Sequence, residues 1–258
     1  MNNAGVEIIL EDSVSMGTLG DASIDLVVTS PPYPMIEMWD ELFRAAGADT
    51  YDEMHEYLGR TWKECFRVLK NGGLMCINIG DATRSVNNRF KLYPNHSRIT
   101  EKCEREGFEA LPYILWQKPT NRPNAFLGSG FLPPNAYVTL DCEYILIFRK
   151  GGLRKFEPKH KARYNSAFTK EERDVWFSQI WNVKGEGQHE KGYRKRTAAF
   201  PKEIPMRLIR MFSVEGDTVL DPFLGTGTTA LASKELNRNF VGYEKNEKLL
   251  PIIKRRLS

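Results

Sequence analysis

The sequence predicts an α/β fold, a mostly parallel sheet flanked by helices and carrying a small basic insert. Three observations lead there. Short runs rich in β-branched residues alternate with segments of helical period along most of the chain. Two of those runs end in chemically unusual turns, TSPPY at 29–33 and DPFLGTGTT at 221–229. Positive charge is also concentrated: residues 149–202 hold 15 Lys/Arg against 6 Asp/Glu, a net of +9, while the rest of the chain holds 22 against 27, a net of −5.

Taken in order, the strands are expected at Val6–Leu10 (VEIIL), Ile24–Thr29 (IDLVVT), Gly73–Ile79 (GLMCINI), Ala110–Gln117, Tyr144–Arg149 (YILIFR), Thr218–Asp221 (TVLD) and Phe240–Tyr243 (FVGY). Helical patterns cover Tyr51–Leu69, the stretch near Pro94–Glu106, Lys202–Phe212, Thr228–Leu236 and Glu247–Leu257. LKNGG at 69–73 is read as a helix stop and a turn into the next strand. Residues 119–141, rich in Pro, Gly and Asn, form a long functional loop in this reading. Residues 150–199 are a basic insert on the sheet without a core of their own.

The 258 residues suffice for one large α/β domain or two modest ones, and 41% hydrophobic with 27% charged residues describes an ordinary globular protein. The first residues, MNNAGVEIILED, lack the charged start and long apolar run of a secretory signal, and no apolar stretch approaches the ~20 residues of a spanning helix. Cys65, Cys76, Cys103 and Cys142 stand alone, without CxxC pairs, and His55, His96, His160 and His189 show no ligand spacing. Neither a zinc site nor a disulfide framework is expected, no metal is assigned, and a reducing cytoplasm suits the chain.

The segment from Thr218 to Asn246 has the order of a nucleotide site at the carboxyl ends of parallel strands. A strand ends at Asp221, a loop with Gly225 and Gly227 follows, Thr228 and Thr229 open a helix, and the next strand runs into Glu244. The glycines let backbone approach a ligand closely, and Glu244 falls where an acid would accept from ribose hydroxyls. The loop lacks the Lys-Ser/Thr of a phosphate cradle and carries an acid instead. A ligand with a cationic end suits it better than a pyrophosphate, and S-adenosyl-L-methionine has a sulfonium, an amino acid tail and an adenosine.

TSPPY together with DPFLGTGTT resembles the amino-group DNA methyltransferases, which modify N4 of cytosine or N6 of adenine. RVLKNGGLMCINIGD (67–81), ILWQKP (114–119), EYILIFRK (143–150) and AAFPKEIPMRLI (198–209) resemble further blocks of that family in their usual sequence. The catalytic motif precedes the cofactor motif, as in the permuted beta arrangement. The resemblance therefore implies a circularly permuted, seven-stranded Rossmann-like methyltransferase sheet. Residues 1–149 would be its catalytic half, 150–199 a target-recognition insert and 200–258 the half that binds S-adenosyl-L-methionine. Protein-glutamine and many RNA methyltransferases carry a similar PPY block after their cofactor motif, and the order here counts against them. Cytosine-C5 chemistry needs a nucleophilic Cys, usually after Pro, and no Cys here follows one.

Under this resemblance the Ser30 hydroxyl and the Pro31 carbonyl each accept a hydrogen bond from the target amine, whose lone pair is otherwise delocalised into the ring. Pro31 and Pro32 stiffen the turn, and Tyr33 stacks on a base that has left the duplex. Ser rather than Asp at position 30 points to cytosine N4; adenine N6 and a non-catalytic DNA-binding scaffold are the alternatives. Cofactor contacts are expected from Asp12, Phe200, Asp221, Phe223, Gly225, Thr226, Gly227, Thr228 and Glu244. For Asp12 the competing role is a turn or cap, and for Phe223 a place in the core. Asp81 either orients the base or caps the next segment.

Trp116 and Lys118, at a strand end facing the site, are candidates for base and phosphate contact, with a buried Trp as the competing role for Trp116. Arg149, Lys150, Arg154, Lys155, Arg194 and Arg196 of the basic segment are expected to grip DNA phosphates, with a solvated lysine-rich loop as the plain alternative. The expected partners are duplex DNA, a companion restriction endonuclease and, from the resemblance alone, a second copy of the chain. No membrane is involved in this reading.

Overall fold

The structure, a computed structural model, describes residues 5–87, 89–118, 127–128, 132–185 and 200–258. The strands are β1 (Val6–Ile9), β2 (Ile24–Thr29), β3 (Leu69–Ile79), β4 (Ala82–Val86), β5 (Arg89–Tyr93), β6 (Phe108–Gln117), β7 (Leu127–Gly128), β8 (Ala136–Tyr137), β9 (Cys142–Lys150), β10 (Ile180–Trp181), β11 (Thr218–Asp221) and β12 (Asn239–Tyr243). The helices are α1 (Asp40–Ala45), α2 (Tyr51–Val68), α3 (Asn95–Arg105), α4 (Lys161–Asn165), α5 (Lys170–Trp176), α6 (Glu203–Phe212), α7 (Thr228–Glu235) and α8 (Leu250–Leu257).

Among the described residues eight strands form one sheet in the order β1-β12-β11-β2-β3-β9-β6-β10. Within it β9 runs against its neighbours, pairing antiparallel with β3 and β6. The first strand of the chain lies beside the last, Val6 opposite Phe240 and Ile9 opposite Tyr243. Every residue of β2 is buried, as expected of a central parallel strand covered on both faces. Val27 enters the core beneath α2, with Leu58, Trp62 and Met75. Leu26 and Val28 enter the core beneath α6, α7 and α8, with Ile204, Leu208, Ala230 and Ile253.

Local chemistry explains where the elements stop and start. At the head of α2 the Thr50 hydroxyl accepts from Glu53 N at 3.3 Å while the Glu53 carboxylate accepts from Thr50 N at 2.8 Å. At its tail Lys150 Nζ donates to the carbonyl of Phe66 in the last turn at 2.6 Å and to that of Leu69, the residue after the helix, at 2.7 Å. LKNGG is both turn and strand: Leu69 already pairs with Ile24, and regular pairing resumes at Leu74 opposite Leu26.

The sheet has one strand more than the seven expected. The eighth, β10, has two residues and sits parallel to β6 at the edge; it is too short to leave a periodic signal. The β4–β5 hairpin and α1 also lie outside the elements expected from the sequence, both being short. In the basic segment neither α4 nor α5 contains a buried residue, whereas Trp181 on β10 is 1% exposed within the main core. Among the described residues no helix is long and apolar enough to cross a membrane.

Candidate active site

A cleft of about 960 Å³ opens at the carboxyl ends of β1, β2, β3, β11 and β12. Parallel strands place their terminal loops together there, so TSPPY after β2 and DPFLGTGTT after β11 become neighbours. Asp12, Ser30, Pro31, Pro32, Tyr33, Trp116, Lys118, Phe200, Asp221, Phe223, Gly225, Thr226, Thr228 and Glu244 all line the cleft. Gly227 does not line it. It caps α7 with φ of +85°, a left-handed turn that lets Thr228 begin the helix.

At one end the chemistry is that of a carboxylate cage. Asp221, 2% exposed, accepts from Thr29 Oγ1 and Thr229 Oγ1 at 2.6 Å each and from Phe223 N at 3.0 Å. Burial outweighs these donors and pushes its pKa up to about 6. Glu244 accepts from Gly225 N at 2.9 Å and Asn246 N at 2.7 Å, and burial raises its pKa too. Each of its oxygens keeps a further lone pair for a ligand. Asp12 accepts from Val14 N at 3.2 Å and Tyr57 Oη at 2.6 Å, so it is a turn aspartate and a cleft residue at once. Phe223 lies edge-on to Trp62 at 5.9 Å and Phe200 is buried; both also line the cleft.

These residues fit S-adenosyl-L-methionine. Three carboxylates face a ligand whose polar groups include a cation, an ammonium, ribose hydroxyls and an adenine amine. At Gly225, with φ of +55°, a Cβ would meet nothing nearer than the Phe223 carbonyl at 3.9 Å, so a ligand can approach the backbone there. Arg256 reaches the loop through its bond to Thr226 Oγ1 at 2.9 Å. Among the described residues no group of His, Cys, Asp and Glu could hold a metal.

On the side of β2 and β3, Pro31 and Pro32 are buried and Ser30 and Tyr33 partly so. The Tyr33 hydroxyl donates to Glu143 Oε2 at 2.9 Å, accepts from Asn78 Nδ2 at 2.7 Å and lies 3.2 Å from Ser30 Oγ. Desolvation first, and the Glu143 charge second, hold its pKa well above the ordinary tyrosine value. The ring packs so closely on Gly80 that a Cβ there would stand 3.1 Å from Tyr33 Cε2. Lys118 closes the group with an ion pair to Glu143 and stands 5.0 Å above the Trp116 ring. Trp116 is buried and donates Nε1 to Val183 O at 2.9 Å.

Asn78 and Glu143 were not singled out from the sequence, although each was visible as one polar residue in an apolar run, CINIG and EYILIF. The segment from Ile36 to Leu42 also lines the cleft and is held by Arg84, which donates to Met35 O at 2.7 Å and Asp40 at 2.5 Å. Asp81 accepts from His96 N at 3.2 Å and lies 2.8 Å from His96 Nδ1, both in the first turn of α3.

Of the basic residues expected to meet DNA, three lie along and just beyond β9. Strand β9 runs away from the cleft, so Lys150 lies seven residues, roughly 23 Å at ~3.3 Å per residue, from Glu143. Arg149 pairs with Glu109 at 2.5 Å, Lys150 caps α2, and Arg154 forms two bonds to Asp217 at 2.6 and 2.8 Å. The structure does not bring these three to the cleft, and their charges are engaged within the protein. Lys155 is exposed. Arg194 and Arg196 lie outside the described residues.

Comparison with known proteins follows the same lines. Residues 24–255 match the sequence model of the N6/N4 DNA methylase family. The chain is 57% identical over 274 residues to the type II methyltransferase M.MjaI of Methanocaldococcus jannaschii, covering 97% of this chain and 90% of that protein. It is 48% identical over 269 residues to the type II methyltransferase M.MthZI of Methanothermobacter thermautotrophicus, covering 97% and 76%. Among solved structures, a DNA modification methylase of Thermus thermophilus in complex with S-adenosyl-L-methionine superposes with a TM-score of 0.78 at 34% identity, over 97% of this chain and 92% of that one.

Proposed function

The chain belongs to the N6/N4 DNA methylase family, and from that premise we propose that it methylates N4 of cytosine at a defined site in duplex DNA, as the modification partner of a restriction endonuclease. S-adenosyl-L-methionine is the methyl donor; when bound it supplies an electrophilic methyl group on a sulfonium. The observation that carries the cytosine reading is Ser30, standing in the cleft where an Asp accompanies adenine-N6 members of the family.

The residues then divide the work. Ser30 Oγ accepts a hydrogen bond from one N–H of the exocyclic amine and the Pro31 carbonyl accepts one from the other, favouring a pyramidal nitrogen whose lone pair can attack. The buried Pro31-Pro32 turn fixes both acceptors, so catalysis comes from position and electrostatics rather than from a covalent adduct. Tyr33 offers its ring to a base rotated out of the duplex. Asp221 and Glu244 orient the donor from the ends of β11 and β12.

DNA approaches the cleft mouth, where Trp116 and Lys118 contact it, and sequence is read by residues within 119–141 and 150–199. Arg194, Arg196 and exposed Lys155 supply phosphate contacts. The type II relatives support a restriction–modification setting in the cytoplasm; the homodimer belongs to the same reading.

Mass spectrometry of nucleosides from the DNA of a methylation-free host expressing the protein tests it. N4-methylcytosine is the expected product. N6-methyladenine would overturn the assignment of the base, and neither product, from soluble protein that fails to bind S-adenosyl-L-methionine, would overturn the enzyme.

A further inference from the structure

Glu143 takes no direct part in the chemistry above, yet it is the acceptor on which the Ser30 end of the cleft converges. It is 8% exposed at the head of β9. Tyr33 Oη reaches its Oε2 at 2.9 Å, Asn78 Nδ2 reaches the same oxygen at 2.7 Å, and Lys118 is ion-paired to Oε1. A glutamate so paired is an acceptor only, which fixes the direction of every bond around it. The Asn78 amide must turn its nitrogen toward Glu143, and the same nitrogen donates to Tyr33 Oη at 2.7 Å. Tyr33 has one hydrogen, and Glu143 takes it.

Toward Ser30, 3.2 Å away, Tyr33 can therefore only accept. The hydrogen between them must come from Ser30. A serine hydroxyl owns one hydrogen and two acceptor lone pairs, so Ser30, with its hydrogen committed, presents only lone pairs to the cleft. That is the polarity a target amine requires. Left alone, the hydroxyl would rotate and could offer its hydrogen to the amine nitrogen instead, tying up the lone pair that must attack.

We propose that Glu143 is a positioning residue for methyl transfer, which sets the direction of the Glu143–Tyr33–Ser30 chain and holds Ser30 as an acceptor for the amine of the target base. The inference rests on the reading of Ser30 given above. It applies equally to a cytosine or an adenine amine.

The test is a kinetic cycle on the full chain with duplex DNA. Glu143→Gln keeps the shape but can donate to Tyr33 and reverse the chain. Tyr33→Phe keeps the ring and removes only the hydroxyl. Each is expected to lower kcat by about 10- to 100-fold, with the Kd for S-adenosyl-L-methionine within about twofold of wild type, and the double variant is expected to be no slower than the slower single. Losses that multiply in the double, or a Glu143→Gln kcat within about twofold of wild type while Ser30→Ala is inactive, would overturn the role of Glu143 alone. A Ser30→Ala variant with normal kcat would overturn the reading beneath it. Should Glu143→Gln not fold, the cycle run with Glu143→Asp decides, because its loss of kcat must vanish in the Tyr33→Phe background.

Discussion

Thr29, the last residue of β2, donates its hydroxyl to Asp221, the last residue of β11, at 2.6 Å. One carboxylate thus ties the strand that carries SPPY to the strand that carries the glycine loop, and Thr229 fastens the same carboxylate to α7. Asp221 is costly where it stands, since burial lifts its pKa from 3.8 to about 6. A carboxyl whose folded pKa is raised destabilises the fold above that pKa, and the penalty is relieved as pH falls from about 6 toward 3.8. Asp221→Asn should therefore melt at the same temperature as wild type or higher at pH 8. It should nevertheless bind S-adenosyl-L-methionine about tenfold or more weakly, a charge-assisted contact having been lost. In the wild type, affinity should decline below about pH 6 as Asp221 takes a proton. Calorimetric titration at pH 5, 6 and 8 checks both; unchanged affinity in Asp221→Asn would remove Asp221 from the cofactor site.

Ser30 and Tyr33 follow β2, whereas Asp221 and Glu244 close β11 and β12, and the two sets should separate in mutants. Ser30→Ala and Tyr33→Ala are expected to lose turnover by about 100-fold or more while the Kd for S-adenosyl-L-methionine stays within about twofold. Methyl-incorporation kinetics beside a binding titration measure this directly. Loss of cofactor binding in both variants would refute the division of labour.

Lys150 tests the difference between a basic residue that binds DNA and one that holds the fold. Its amine covers the tail of α2 through the carbonyls of Phe66 and Leu69. Lys150→Met keeps most of the stem and deletes the donor. We expect it to cost about 1–3 kcal/mol and to lower the melting temperature by roughly 3–8 °C. The salt dependence of DNA binding, which reports phosphate contacts, should not change. A flatter slope of log K against log salt in the variant would return Lys150 to the DNA interface.

What could be read from the sequence was chemistry written in consecutive residues. TSPPY and DPFLGTGTT each carry a strand end, a turn and functional groups within nine residues, so both were located and both line one cleft. Chemistry assembled across the sheet was not legible. Asn78 and Glu143 are 65 residues apart and meet because β3 and β9 pair antiparallel; no local pattern announces that. A count of charges similarly cannot tell which have partners within the protein: Glu109, the α2 carbonyls and Asp217 engage Arg149, Lys150 and Arg154. The two-residue β10 and the polar β4–β5 hairpin lie below the length at which periodicity is measurable.

His55 supplies a prediction about acid stability. It is fully buried on α2, with Nε2 3.1 Å from Asn95 Oδ1. Burial is the main cause that lowers its pKa from 6.5 to about 4, and Arg98 and Lys102 reinforce it. Above pH 6.5 the ring is neutral in both the folded and the unfolded chain. Between pH 6.5 and 4 the unfolded chain takes up a proton that the folded protein refuses, so stability is lost as pH falls through that window. At about 1.4 kcal/mol per unit the loss reaches roughly 3 kcal/mol by pH 4. His55→Gln can still donate to Asn95 but has nothing to protonate. It should be less stable than wild type at pH 7, and the gap should narrow as pH is lowered to 4.5. Urea unfolding at pH 7, 6, 5 and 4.5 measures the gap. A constant gap would mean that His55 carries its proton inside the fold as readily as outside it.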